Sequence, residues 1–445
     1  MMTDLRYLLD HAKKQGAREA ELYLEESGSW NCRVYQGQIE ELQASASNGL
    51  GVRVLVGDSL GIAYTSDLRR EGCLEAAERA VANARVSAPD SLREFFAPDP
   101  DTKYAVLSIW DDQLEKVPSE EKILLALDME EMAKKKDPLI QKVLGTGVST
   151  SSRKVTVLNT RGVNASCRSN SARAGASVLA ASSGVMQSGG GSQFARTWTE
   201  LDPATVVEEA VHHAVSLVGG QQVESQDAEV IFDRGIAAII WGMLGRTLTG
   251  EEVQKKRSMF AGKVGQKVAS DLVSLIDDPL RPDGPGASSF DAEGVPRRTF
   301  PLVEDGVLKA FMYDLYSARK DGIASTGHAS RSFRSPVNAS PANLYLKPSS
   351  TSLDEIVAST RNGLLVMEVK GIGTGGFNPV SGDLSVGASG LWISRGKFAG
   401  PVREVTIAGN LKDILLSVDA VASDFKWSGA GTPAFRVKKM AVSGK

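Results

Sequence analysis

At 445 residues the chain passes the roughly 250 to 300 residues at which a single hydrophobic core stops growing, which excludes one small domain and favours two or three. A formal net charge of -3 excludes the strongly basic balance of a general nucleic-acid binder, and the run Lys255 to Arg257 reads as a solvated loop. Cys32, Cys73 and Cys167 are odd in number, far apart and never spaced C-x-x-C, which excludes a disulfide framework and a zinc ribbon.

The opening MMTDLRYLLDHAKK is charged throughout and lacks the apolar core, roughly 7 to 15 residues long, of a secretion signal. A reducing, cytoplasmic setting is therefore expected, and the sequons at Asn164 and Asn338 carry no weight. Thr3 or Asp4 is placed to cap a first helix in which Leu5, Leu8, Leu9 and Ala12 share a face and Gly16 ends the run. From Ala20 to about Ser66 apolar and polar residues alternate, with breaks at Ser27-Gly28, Gly37, Asn48-Gly49 and Gly57-Asp58, the pattern of an antiparallel meander. Leu68 to Ser87, with Leu74, Ala77, Ala80, Val81 and Ala84 on one stripe, predicts a second helix. The prolines between Pro89 and Pro100 mark a boundary near residue 100.

Beyond it, Ser119 is placed to cap a helix running to Lys136, with Glu120 and Glu121 suiting the dipole of its first turn. Strands follow near 141–149, 154–159, 163–168 and 172–181; Ser188 to Ser192 reads as a glycine loop, and Pro203 to Val218 as a helix rich in alanine and valine. The strand Glu229 to Phe232 then feeds the apolar run Gly235 to Gly245, about eleven residues where a membrane span needs about twenty. It reads as a buried core helix, and no membrane segment is expected.

After this helix glycine is frequent and the strands are short: 272–276, 298–303, 306–313, 343–346, 363–369, 390–394 and 405–407, with a helix at 352–362. The predicted fold class is α+β. N-terminal α/β units with antiparallel sheets occupy 1–100 and 101–222, and a β-rich, barrel-like C-terminal domain occupies 223–445.

Most residue patterns that could carry chemistry have a structural reading. Gly371-Ile372-Gly373-Thr374-Gly375-Gly376 fits G-x-G-x-x-G, yet Asn378-Pro379 continues as loop where a dinucleotide site needs a helix N-terminus, so no cofactor is expected. His212 and His213 are adjacent on a helix, about 100° apart, and cannot both face one metal. His328 is the histidine in a loop setting, with Ser330, Ser332 and Ser335 after it and no G-x-S-x-G elbow; a hydrogen-bonding role is expected, and it is the candidate contact for a peptide or a partner. Cys167 reads as a buried small hydrophobe. Asp277-Asp278, Asp291 and Glu293 sit at strand ends or turns, where acidic residues are structurally favoured.

The stretches VASDLVSLIDDP, SSFDAEGVPRR, VEDGVLKAFMYDLYSARKDG, STGH, VSGDLSVGASGLWISRGK and PVREVTIAGNLKDIL resemble the TldD/PmbA family, once called modulators of DNA gyrase. RSNSARAGASVLAASSG and the helix after it share the resemblance, and the first hundred or so residues agree in pattern. In the TldD-like branch a helix carries HExxxH, two histidines on zinc with a glutamate as base, and a cysteine near the C-terminus adds a ligand; the PmbA branch, also called TldE, lacks them. Counting back from the matched Ser258 to Gly262, the first histidine falls on Trp241, the glutamate on Gly242 and the second histidine on Arg246, and no cysteine follows Cys167. Tryptophan offers no lone pair and arginine stays protonated, so neither binds a dication.

The resemblance thus implies a catalytically silent, PmbA/TldE-like subunit without catalytic residue, metal or cofactor. Its implied partner is a TldD-like zinc peptidase acting on extended or unfolded peptides. Two other readings remain open: a homodimeric peptide-binding or scaffold protein, and an enzyme using His328 with Asp383 or a nearby serine.

Overall fold

The computed structural model describes residues 5–182 and 184–445, so the cap expected at Thr3 or Asp4 lies outside the described residues. The alternating stretch builds β1 (Glu19–Tyr35), β2 (Gln38–Val56) and β3 (Ser59–Thr65). The β1–β2 turn uses Gln36 and Gly37, both left-handed with φ 54° and 72°. The turns expected at Ser27-Gly28 and Asn48-Gly49 do not form, because both lie inside continuous strands, with Gly28 opposite Ala46 and Gly49 opposite Glu25. Gly49 is there for space: a Cβ would lie 2.1 Å from the Phe333 ring.

The second half is equally extended, in β4 (Ile140–Asn159), β5 (Asn164–Ser182) and β6 (Val185–Ala195). All six strands form one sheet, ordered β3-β2-β1-β4-β5-β6. Because β1 pairs antiparallel with β4 from Glu21↔Asn159 to Val34↔Thr146, the stretches on either side of the proline-rich segment contribute neighbouring central strands.

Helices α1 (Arg6–Lys14), α2 (Arg70–Val86), α3 (Ser119–Lys136) and α4 (Pro203–Leu217) pack on the sheet. Strand alternation decides what they bury. Ala20 and Leu22 join the α1–α2 core, Cys32 and Val34 the α3–α4 core, and Tyr23 points the other way, into a cluster with Phe290, Ala292 and Phe333. Ser119 makes no cap; it is the first helical residue, and the extended Pro118 holds the capping position.

The expected glycine loop at 188–192 is instead the middle of β6. A Cβ on Gly189 would lie 2.2 Å from the Ala210 carbonyl oxygen, and one on Gly191 2.1 Å from that of Val206. Glycine here lets α4 lie directly on the strand.

The C-terminal part opens with β7 (Gln226–Phe232), α5 (Arg234–Thr247) and α6 (Gly250–Gln254). Short strands β8 (Leu275–Asp277), β9 (Phe300–Glu304) and β10 (Val307–Leu308) precede α7 (Leu315–Lys320). A small ribbon, β11 (Ala329–Ser330) with β12 (Asn338–Ala339), leads to β13 (Leu344–Leu346) and α8 (Leu353–Ser359), which Ser352 and Glu355 cap as a box. The long strands β14 (Asn362–Lys370), β15 (Asp383–Ser394) and β16 (Lys397–Asn410) follow. The chain ends in α9 (Leu411–Leu416), β17 (Val418–Val421), β18 (Lys426–Ser428), β19 (Ala430–Thr432) and β20 (Phe435–Ser443).

Strands β7, β14, β15, β16 and β20 close into a five-stranded barrel, shut by the β16–β20 pairing. Beside it lies the sheet β10-β9-β8-β13-β19-β18. Among the described residues no helix is long and apolar enough to cross a membrane.

A buried ionic network joins the N-terminal sheet to the C-terminal part. Arg53 on β2 donates through Nε to Glu21 Oε1 at 2.9 Å and through Nη2 to Glu293 Oε1 at 3.0 Å. Arg331 donates to the same Glu21 oxygen at 2.5 Å and stacks its guanidinium 4.5 Å from the Tyr23 ring. Glu293, read from the sequence as a turn residue, therefore bonds across the molecule, and its other oxygen accepts from the Leu315 N–H at 2.9 Å.

Gly191→Ala is expected to lower the melting temperature, overpacking of this kind costing roughly 1–3 kcal/mol; an unchanged thermal midpoint would show that α4 has room to move. Arg53→Met leaves Glu21 and Glu293 buried without their shared cation, which costs about 3–5 kcal/mol, read as a lowered midpoint in urea unfolding. A loss below about 1 kcal/mol, the range of an exposed pair, would mean that water reaches the network.

Candidate functional site

The helix singled out by the sequence, α5, is capped by Asp233, whose Oδ1 accepts the Gly235 N–H at 2.8 Å. It is pressed close to β13, since a Cβ on Gly245 would lie 2.5 Å from Leu344 Cδ2. Ile236, Ala237, Ile240, Trp241 and Leu244 form its buried side. Trp241 is 0 % exposed. Its ring centroid lies 5.2 Å from that of Phe435 on β20, which in turn packs 5.1 Å from Phe232 on β7. The indole N–H has no hydrogen-bond partner among the described residues, so the residue serves as an apolar plug between helix and barrel.

The other side of α5 carries Ile239, Gly242, Met243 and Arg246. Trp241 and Arg246 are five residues apart, about 140° around the helix at 3.6 residues per turn, so one enters the core while the other is exposed. A Cβ added to Gly242 would meet nothing within 4 Å. The three positions expected, from the sequence resemblance, to stand where the zinc motif would be therefore present an apolar ring turned away, no side chain and a fixed cation. They do not fit a zinc ion. Among the described residues no group of three or more His, Cys, Asp and Glu side chains is arranged to hold a metal.

Arg246 opens onto a cleft of about 510 Å³. Met243 and Thr247 of α5 line one side, residues 338–341 around β12 another, and Phe377 and Pro379, just past the glycine-rich run, a third. In the same cleft Glu251 pairs with Lys255, and Glu252 with Arg257. The Arg246 guanidinium has no ion-pair or hydrogen-bond partner among the described residues. No periodicity in the sequence announces this cleft, because its walls come from three segments, 243–257, 338–341 and 377–379, far apart in the chain.

The glycine-rich run 371–376 makes a hairpin turn between β14 and β15. It holds one short 3-10 turn, Ile372–Thr374, with Gly371 and Gly375 at φ 86° and 105°. No helix opens there, so the phosphate-binding geometry of a dinucleotide site is absent.

The histidines do not converge. His213 Nδ1 lies 3.0 Å from the Gly190 carbonyl oxygen, and His212 Nδ1 lies 3.3 Å from Ser216 Oγ. His328, the expected contact for peptide or partner, is 2 % exposed. Its Nδ1 lies 2.7 Å from Thr326 Oγ1, its Nε2 lies 3.2 Å from Asp277 Oδ2, and Phe300 meets its ring edge-on. The ring is therefore enclosed, and among the described residues no hydrogen bond joins it to a serine or to Asp383. Asp383 instead accepts from Ser381 and Asn410 at the start of β15. Cys32 and Cys73 are buried thiols, whereas Cys167, expected to be buried, is half-buried.

Asp277 and Asp291 are more than turn residues. Asp277 Oδ1 accepts the Ala342 and Asn343 N–H groups at 2.9 and 2.8 Å. Asp291 accepts from the backbone of Glu293 and Val295 with one oxygen and of Ala329 with the other. Burial, and then the Glu293 charge, push the Asp291 carboxyl up to about 7, against the pull of Arg297 and the backbone donors. Its folded value thus lies above the ordinary 3.8; the native state holds the proton across this window, and stability falls as pH rises from about 4 to 7. Urea midpoints are expected to fall over that range and to fall less steeply in Asp291→Asn. Parallel slopes would mean that the carboxyl is ionised throughout.

Models of PmbA/TldA metallopeptidase domain 1, of the central domain and of the C-terminal domain match residues 20–84, 112–218 and 225–444. A metalloprotease PmbA homolog of Haemophilus influenzae is 29% identical over 98% of this chain and 95% of its own length. The crystal structure of a Thermotoga maritima protein described as a modulator of a DNA gyrase superposes with a TM-score of 0.91 at 27% identity, covering 98% of this chain and 99% of that one. TldE from Thermococcus kodakarensis shares the fold, with a TM-score of 0.90 at 23% identity over 99% of this chain and 100% of that one.

Proposed function

Because the chain belongs to the PmbA/TldD metallopeptidase family, we propose that it is a PmbA/TldE-like, non-catalytic subunit. It works in the cytoplasm beside a TldD-like zinc peptidase that cuts extended or unfolded peptides. The observation that carries this reading is the chemistry of α5. A zinc peptidase needs ligands that fix the metal and a base beside the bound water, whose pKa the metal lowers. Trp241, Gly242 and Arg246 supply neither, and losing ligands and base together leaves no weakened version of that mechanism. What the chain can contribute is a peptide-sized cleft beside α5 and surface for a partner.

A second reading, a homodimeric peptide-binding protein, draws on the edge of the N-terminal sheet. β2 pairs with β3 only from Leu50 onward, so Gln38 to Asn48 leave an exposed outer edge on which Ile39 and Leu42 are also exposed. Such an edge can take another strand.

Co-expression with a TldD-like chain, followed by size exclusion and native mass spectrometry, separates the two. A hetero-oligomer is expected, together with no peptide hydrolysis by the isolated chain and a zinc-to-protein ratio near zero by elemental analysis. A homodimer that ignores the partner at every salt concentration would favour the second reading. Zinc-dependent hydrolysis by the isolated chain would end both.

A further inference from the structure

The cleft beside α5 has a charge imbalance with a definite location. Three cations, Arg246, Lys255 and Arg257, share it with two carboxylates, Glu251 and Glu252. Each carboxylate is already paired with a lysine or arginine from its own segment. The excess positive charge therefore sits on Arg246, exposed on a rigid helix and without a partner among the described residues. We infer that Arg246 is the anchor of a binding site for a single carboxylate carried by a peptide.

The form of the site points to that ligand. A guanidinium presents a planar fork of N–H donors that matches a carboxylate in two parallel hydrogen bonds. A doubly charged group such as a phosphate monoester would gain the same fork but would leave its second charge without a partner, since Glu251 and Glu252 already engage Lys255 and Arg257, so one negative charge suits the cleft better than two. Met243 and Phe377 give it apolar walls, and Pro341 and Pro379 extend them, which suits an apolar side chain next to the bound carboxylate. Gly242, one turn before Arg246 and open above its Cα, keeps the helix face between them free of obstruction. The carboxylate can come from a free peptide C-terminus or from an acidic side chain within a peptide; the recognising chemistry is the same.

The inference rests on the proposed function only in taking a peptide as ligand, so its test uses the isolated full-length chain and no partner. Isothermal titration would compare three acetylated peptides: Ala-Ala-Leu with a free C-terminus, the same peptide as its C-terminal amide, and Ala-Glu-Leu as its amide. The free acid is expected to bind about tenfold or more tightly than the plain amide, a typical worth for a charge-assisted pair, and to weaken as salt rises. Recovery of affinity by the glutamate-containing amide would identify an acidic side chain as an accepted source. Arg246→Met is expected to erase the difference between acid and amide, and Arg246→Lys to keep part of it as a point charge without the fork. Arg246 is exposed and unpaired, so an unchanged melting temperature verifies that both variants fold. Equal binding of acid and plain amide, binding unaffected by Arg246→Met, or no binding of any of the three peptides would overturn the assignment. Failure to find a TldD-like partner would leave these titrations unaltered, so the two ideas fail separately.

Discussion

A buried carboxylate oxygen shared by two arginines ties the N-terminal sheet to the C-terminal part. Glu21 Oε1 accepts from Arg53 on the neighbouring strand and from Arg331 in the C-terminal part, and Arg53 reaches on to Glu293. Charges taken out of water are tolerated only when paired and hydrogen-bonded, and removing one member leaves the others stranded. The network is consequently intolerant of sliding between the sheet and the segment 291–331. That segment ends in β11, whose partner β12 forms a wall of the cleft.

The helix α5 has two sides with separate duties. Its inner side packs against the barrel through Trp241, Phe435 and Phe232. The outer side presents Met243 and Arg246 to solvent. Trp241 supplies packing and no lone pair for a metal, so the helix is an integral part of the core. Arg246 carries a permanent positive charge, which repels a metal cation and attracts an anion.

Glycine shows how tertiary context overrides a local signal. Gly28 and Gly49 look like turn residues, and Gly189 to Gly191 like a loop, yet all lie within long strands. At Gly49, Gly189 and Gly191 the reason is close approach, by Phe333 or by the α4 backbone. Those partners lie from about fifteen to nearly three hundred residues away in sequence, so no local window contains them. The Gly37 and Gly57 turns, by contrast, need left-handed φ values that glycine adopts without cost, and the sequence marks them correctly.

The sequence by itself determined the longer helices, whose apolar stripes and helical spacing are local properties: 68–87 for α2, 119–136 for α3, 203–218 for α4 and 235–245 for α5; the short α6, α7 and α9 it left unmarked. It also determined the meander, the α+β class and the chemistry present at Trp241, Gly242 and Arg246. Only the tertiary structure decided the unbroken length of β4 and β5, the strands β17 to β20, the closure of the barrel, the burial of His328 and the cleft that leaves Arg246 unpaired. These depend on pairings between residues far apart in the chain. Short-range periodicity records which face of an element is apolar, but the identity of what covers that face is settled by packing alone.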